Sequence, residues 1–313
     1  YINYPYTEIS NLNITATGNA YLASSNKNFN GIGKKIDISA DTLELRANNL
    51  IFDTTENENI NIDINELKAR AKNNISITNK GNLVISSIVS ENDGKISLES
   101  KEGSIIAGNT KTYSPHHILG SEIYLKALNG GIGTQDGALK FANDGVYNVE
   151  AKNGIYLDSS ATMYVDNIQS NEGSLALNSA FGIIASARSD KNKNYNLFAA
   201  NDLTLSSTAG NIENIEVHAN GVMNASAGYK NGKIEGLNSI NIHNVSDNDM
   251  KIGAIKASKN VTLTSNKGLQ NATDTSSISG EQIAIKASGN IGTQTSSINL
   301  TTTKGVTILS KGE

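Results

Sequence analysis

Apolar residues along the chain fall in short alternating triplets, and the triplets recur. Ile75-Ser-Ile77 is followed by Gly81 and Leu83, Ile96-Ser-Leu98 by Gly103 and Ile105, and Ile123-Tyr-Leu125 by Gly130 and Ile132. The arrangement returns at Leu175-Ala-Leu177, Leu203-Thr-Leu205, Val261-Thr-Leu263 and Ile283-Ala-Ile285, each with a Gly and then an apolar residue behind it. Val149-Glu-Ala151 with Gly154 and Ile155 is a shorter copy. Alternation with a period of two, in segments rich in β-branched residues, predicts strands and argues against helices. Triplet starts step by 21, 27, 26, 26 and 28 residues between 75 and 203. From Ile240 they step by 21, 22 and 23 to Val261, Ile283 and Val306. A period in the twenties combined with two-fold alternation describes one coil of a parallel β-helix. Each coil would hold two or three short strands with Val, Ile and Leu inward and Ser, Thr, Lys and Asn outward. Gly or Asn would take the corners, where a positive φ costs little.

The expected fold is therefore all-β, a right-handed parallel β-helix (β-solenoid) forming a single elongated domain of about a dozen coils. At a rise of roughly 4.8 Å per coil this is a rod on the order of 55–65 Å long. Residues 1–74 read as irregular or N-terminal coils, 75–214 and 239–313 as regular coils, and 215–238 as a distorted coil. The stretch 65–72 has helix-forming composition, yet Leu67, Ala69 and Ala71 alternate, so a strand and a short inserted helix both fit. Polar excursions at 24–35, 52–60, 107–120, 186–194 and 246–251 are expected to leave through corners. The opening Tyr1–Tyr6 segment, without Met, reads as the start of an excised piece and as a cap over the first coil. A longer similarity links 122–135 with 282–294, about 160 residues apart, through Lys126/Lys286 and a shared Ile-Gly-Thr-Gln. This is the mark of a duplicated coil.

Composition narrows the chemistry. With no Cys, disulfides, Cys-ligated zinc, iron–sulfur clusters and thiol catalysis are excluded. A net charge of -4 with both signs interspersed argues against nucleic acid as a partner, which wants clustered Lys and Arg. No apolar run approaches the ~18 residues of a membrane helix, so insertion in a membrane is not expected. No cofactor is expected either.

An enzyme on such a scaffold needs grouped carboxylates or a basic residue beside them. Asp37, Glu99, Glu150 and Asp158 are scattered among outward positions, and no Asp-Asp pair occurs. Arg46, Arg70 and Arg188 are the only arginines, two of them in polar or irregular stretches. The chain is therefore read as non-enzymatic, with no catalytic residue. His116-His117 is read as a solvated loop pair and not a metal site, because adjacent strand residues point oppositely. Asp247-Asn-Asp249 is expected to meet water, not calcium. Gly130–Asp136 is a coil corner: Asp136 replaces the third Gly of a dinucleotide loop, and no helix follows. The binding candidates are tyrosines. Tyr124, Tyr156 and Tyr164 each lie between two apolar residues, so alternation turns them outward, and Tyr147 joins them. Stacked on one face they would form an aromatic strip for sugar rings or a protein partner. The alternative is that Tyr simply suits strands and is tolerated outside.

The coil pattern and the corner Gly131-Ile-Gly-Thr-Gln135 resemble large exported adhesins of the filamentous-haemagglutinin type, the secreted partners of two-partner secretion in Gram-negative bacteria. Residues 203–212 and 261–269 are similar to that family's degenerate repeats. The resemblance covers most of the chain from about residue 75 and, more loosely, 12–74; autotransporter passengers share the motifs. Neither the family's N-terminal secretion domain nor a C-terminal toxin is matched. The resemblance implies an internal structural or adhesive segment of a far larger virulence-associated exoprotein, secreted to the bacterial cell surface. Its implied partners are a host or bacterial surface receptor or glycan and, during export, an outer-membrane transporter. Some relatives are glycosylated at Asn-X-Ser/Thr sites such as Asn13, Asn74, Asn224, Asn244, Asn260, Asn271 and Asn299; in so Asn-rich a chain the expectation is no modification. Two other readings stand beside it. One is a carbohydrate-active β-helix, a polysaccharide lyase, hydrolase or tailspike. The other is a receptor-binding module of a contact-dependent toxin-delivery filament, with contact carried by 185–255 and the tyrosines.

Overall fold

Branched apolar residues at alternate positions suit a pleated backbone that buries one side of each strand. The computed structural model describes residues 2–3, 11–24, 28–31, 34–52, 60–109, 115–187, 192–231, 233–293 and 296–311. Among them every regular element is a β-strand. The segment 65–72 is no exception. It belongs to the strand Ile60–Ala71 and buries Leu67, Ala69 and Ala71, so alternation outweighs helix propensity there. Strands pair in parallel with those of the preceding and following turns, which makes a β-solenoid of about twelve turns. Backbone packing divides the chain into two units, Tyr1–Leu157 and Asp158–Glu313.

In the first unit the strand Lys35–Ala47 runs in register with Ile60–Ala71, from Ile36↔Ile60 to Ala47↔Ala71. An inward ladder climbs Leu50–Ile75–Ile96–Ile123, and a second climbs Phe52–Ile77–Leu98–Leu125–Val149, all buried. Burying each such side chain is worth about 1.5–3 kcal/mol, against roughly 0.2–1 kcal/mol for an outward cross-strand pair. The inward ladders therefore set the register.

In the second unit one ladder runs Ile183–Ile212–Ile240–Val261–Ile283–Val306 and another Leu175–Leu203–Met223–Ile252. Much of the weakly periodic stretch 215–238 is regular. Ile212–Ala219 and Val222–Ala227 both pair with their neighbours, and the period is lost to two β-bulges and one excursion. Asn214 takes a φ of 57° at the first bulge. In the excursion Tyr229–Lys230 pairs antiparallel with Lys233–Ile234, leaving Ile234 and Leu237 exposed.

The corners overturn one expectation. At six of these corners the next inward residue after the triplet is Ser or Asn, and it is buried: Asn79, Ser100, Ser179, Ser207, Asn244 and Ser265; after Leu125 and Ile285 it is Ala127 and Ala287. The polar side chains hold the turn backbone. Ser265 Oγ donates to Gly268 O (3.0 Å), and Asn79 Nδ2 donates to the carbonyls of Ile64 (3.1 Å), Gly81 (3.1 Å) and Asn82 (3.0 Å). A buried corner carbonyl without such a partner would cost about 1–3 kcal/mol, so polarity at these six positions is a core requirement.

The suspected duplication has matching geometry. Gly133 and Gly292 take φ values of 66° and 76° after Ile132 and Ile291. Their N–H groups donate 2.8 Å bonds to Ile105 O and Leu269 O respectively. Thr134 then bonds to Gly137 O, and Thr293 to Ser296 O, each at 3.0 Å. The central residues of the excursions 52–60, 107–120 and 186–194 lie outside the described residues, as do 25–27 and 32–33 of the excursion 24–35, Arg188 and most of the proposed N-terminal cap; at the centre of 24–35, Phe29 is buried and pairs with Leu50.

Candidate functional site

The four tyrosines do not form a strip. Tyr147 is 0% exposed, because it pairs with Ile123 and occupies the next place on the inward ladder. As a surface-binding candidate it is excluded. Tyr124 is outward, between Ser97 and Asn148 on adjacent turns, with the Lys95 ammonium 3.9 Å from its ring centre. Tyr156 belongs to another column of strands, the one joining Ile105, Ile132 and Ile155. Tyr164, in the second unit, is 37% exposed beside Ile184.

The candidate polar groups are occupied by structural work. His117 is buried, contrary to a solvated loop pair. Its Nδ1 accepts the Lys140 N–H (3.0 Å), so Nε2 carries the proton and donates to Gly108 O (2.9 Å). Burial holds this imidazole below the usual histidine range; the bond to Gly108 opposes, and Lys140 and His116 add to the lowering. Asp249 is likewise engaged, Oδ1 with the Gly268 N–H (2.7 Å) and Oδ2 with the Gln270 amide (2.5 Å). Among the described residues, no three His, Asp or Glu side chains gather as a metal shell.

Arg46 and Arg70 sit in regular strands, paired on adjacent turns. They border a groove of about 300 Å³ with Glu44, Lys68, Ser86 and Asn109. Like charges in register repel, and each guanidinium has a carboxylate: Glu44 for Arg46 (2.9 Å) and Glu91 for Arg70 (2.6 Å). Glu66 behind them accepts from Ser86 (2.5 Å) and Thr42 (3.1 Å) and lies 3.0 Å from Lys68 Nζ. The Ser86 bond, followed by Lys68 and Thr42, holds the Glu66 carboxyl below the usual range against the effect of burial. A carboxylate so saturated straps three turns together and is a poor proton acceptor.

The second unit carries an aromatic cluster that alternation alone did not single out. Gln169, Phe198 and His218 pair across three successive turns. Leu197 and Val217 beside them are fully buried, which turns Phe198 and His218 outward. The Phe198 and His218 rings lie 5.0 Å apart, tilted by 41°. Tyr195 closes the group, 5.6 Å from Phe198 and 6.2 Å from His218, at 72° to the latter. All three rings are half-buried. Beside them the Gln169 carbonyl accepts Lys193 Nζ (2.8 Å) and the Tyr195 hydroxyl (3.1 Å), while its amide nitrogen donates to Asn171. The signal available in the sequence was Leu197-Phe198 against Val217-His218, and it becomes visible only once the register is known. No family model, curated protein or solved structure matches the chain.

Proposed function

We propose that this chain is a non-enzymatic, structural and adhesive segment of a large secreted exoprotein on the surface of a Gram-negative bacterium, of the filamentous-haemagglutinin type. It is exported through an outer-membrane transporter and contacts receptors or glycans on host or neighbouring cells. One observation carries the reading: the outward charged and polar groups tie one turn to the next. Thr42–Glu66–Ser86, Lys126–Glu150 (3.5 Å), Asp249–Gln270 and Lys304–Glu281 (2.6 Å) are such ties. A surface used this way maintains a long stack and leaves its remaining side chains for contact.

The test is saturable binding of the purified chain to epithelial and bacterial cells, run beside reducing-end and lyase assays on a polysaccharide panel. Cell binding without turnover is the expected result. Turnover would instead favour a carbohydrate-active solenoid, with the groove beside Arg46 and Arg70 as its first suspect. Neither binding nor turnover would remove the adhesive role.

A further inference from the structure

We infer that the corner formed by Tyr195, Phe198 and His218 is a binding site for a pyranose sugar bearing a carboxylate, an inference that rests on the adhesive reading above. Two of the three rings, Phe198 and His218, are placed by the backbone ladder, and Tyr195 lies just ahead of the strand Leu197–Ala199. Phe198 and His218 stand on adjacent turns, and the rung spacing of ~4.8 Å is about the span of one sugar ring. Their 41° tilt, with Tyr195 at 72° to His218, sets the half-buried rings at an angle to one another. Aromatic faces attract the polarised C–H groups on the flat side of a pyranose, and small-ligand sites combine such apolar surface with a few fixed polar groups.

The polar groups are present and oriented. Gln169 has its carbonyl facing Lys193 and Tyr195 and its amide nitrogen facing Asn171, so both its ends are fixed. The Lys193 ammonium is bonded to this neutral amide and lies 5.9 Å from the Tyr195 ring centre. A cation held by a neutral group at the rim of an aromatic corner complements an anion on the ligand, and a carboxylate accepts from it in a charge-assisted bond. Uronic and sialic acids share that chemistry: a flat apolar ring face and a carboxylate at its edge.

The test titrates the intact chain with two matched pairs, sialyllactose against lactose and trigalacturonate against galactotriose, read by calorimetry and saturation-transfer NMR. The wild-type chain is expected to prefer the acid in at least one pair, and the preferred pair identifies the source of the carboxylate. Phe198→Leu, which keeps apolar volume but removes the ring face, should weaken binding about tenfold. Lys193→Gln should abolish the preference for the acid while sparing the neutral sugar. His218→Asn is the second variant if Phe198→Leu lowers the thermal midpoint, and Tyr124→Ala should change nothing. Failure of the wild-type chain to bind either acid, or binding unchanged in Phe198→Leu and Lys193→Gln, overturns the site. Cell adhesion measured on the same proteins separates the two readings. Adhesion that survives a failed titration leaves the adhesive role without this site, and sugar binding without adhesion does the reverse.

Discussion

Tyr147 meets Phe141 edge to face, with ring centroids 5.0 Å apart and ring planes at 86°. That arrangement sets the positive edge of one ring against the negative face of the other, worth about 0.5–1.5 kcal/mol beyond burial. It places an aromatic side chain on a rung where the turns below carry Ile, and Phe141 accommodates the change in shape. Tyr147→Ala should therefore lower the unfolding free energy by about 3–5 kcal/mol. Tyr124→Ala, on the opposite side of the neighbouring strand, should cost less than about 1 kcal/mol. Urea denaturation of both variants checks the contrast, and equal losses would contradict it.

The corner serines act as buried connectors. Ser179 Oγ accepts the Gly182 N–H at 3.1 Å and lies 2.7 and 2.8 Å from the carbonyls of Ala161 and Gly182. Ser179→Ala removes these bonds, leaving the Gly182 carbonyl only its bond from the Met163 N–H (2.9 Å), with an expected loss of about 1–3 kcal/mol. Thr204→Ala, at an exposed position, should stay within about 0.5 kcal/mol. Thermal melts of the two variants distinguish a connector from a tolerated polar residue.

His117 gives the fold an acid-sensitive point. Its folded form resists protonation, chiefly because it is buried, whereas an unfolded histidine titrates near about 6.5. The unfolded chain thus takes up this proton first as pH falls. The contribution is fully present above that pH and is lost as pH drops through it toward the lower folded value. Denaturation midpoints between pH 7.5 and 5 should fall less steeply in His117→Gln, though that variant starts from lower stability. Parallel slopes would show that another group is responsible.

The two related Ile-Gly-Thr corners should differ in their tolerance of a side chain. A Cβ on Gly133 would lie 2.3 Å from Tyr156 O, whereas one on Gly292 would have no neighbour closer than Ser296 O at 3.3 Å. Left-handed backbone costs both alanine variants about 1–2 kcal/mol. Gly133→Ala carries the clash in addition and should be clearly the less stable, as differential scanning calorimetry would show. Equal losses would mean that the Gly133 turn relaxes freely.

The parallel solenoid was legible in the spacing of triplets such as Ile75-Ser-Ile77 and Ile96-Ser-Leu98, because each buries the same two positions against the next turn. The inward serines were not, since polarity is a proxy for exposure that fails where a side chain caps backbone groups. Tyr147 was misplaced for a related reason: Val146 and Val149 flank it out of phase, and only the pairing Ile123↔Tyr147 decides which way it faces. The cluster of Tyr195, Phe198 and His218 depends on side chains up to 23 residues apart meeting across turns. Alternation within one strand gives the facing of each residue, but not which residue lies beside it.

Among the described residues, register shifts interrupt the ladders between Leu67 and Lys68, Ile212 and Ile215, Met223 and Ala225, and Gly280 and Gln282. Each lets one strand carry a single residue more than its partner. An odd residue within a strand otherwise exchanges the core and solvent faces of everything after it. The bulges therefore act as phase correctors: they confine a one-residue length error to its own turn and return the next turn to its proper face. A chain built this way can gain or lose single residues over its history without renegotiating the rest of its core.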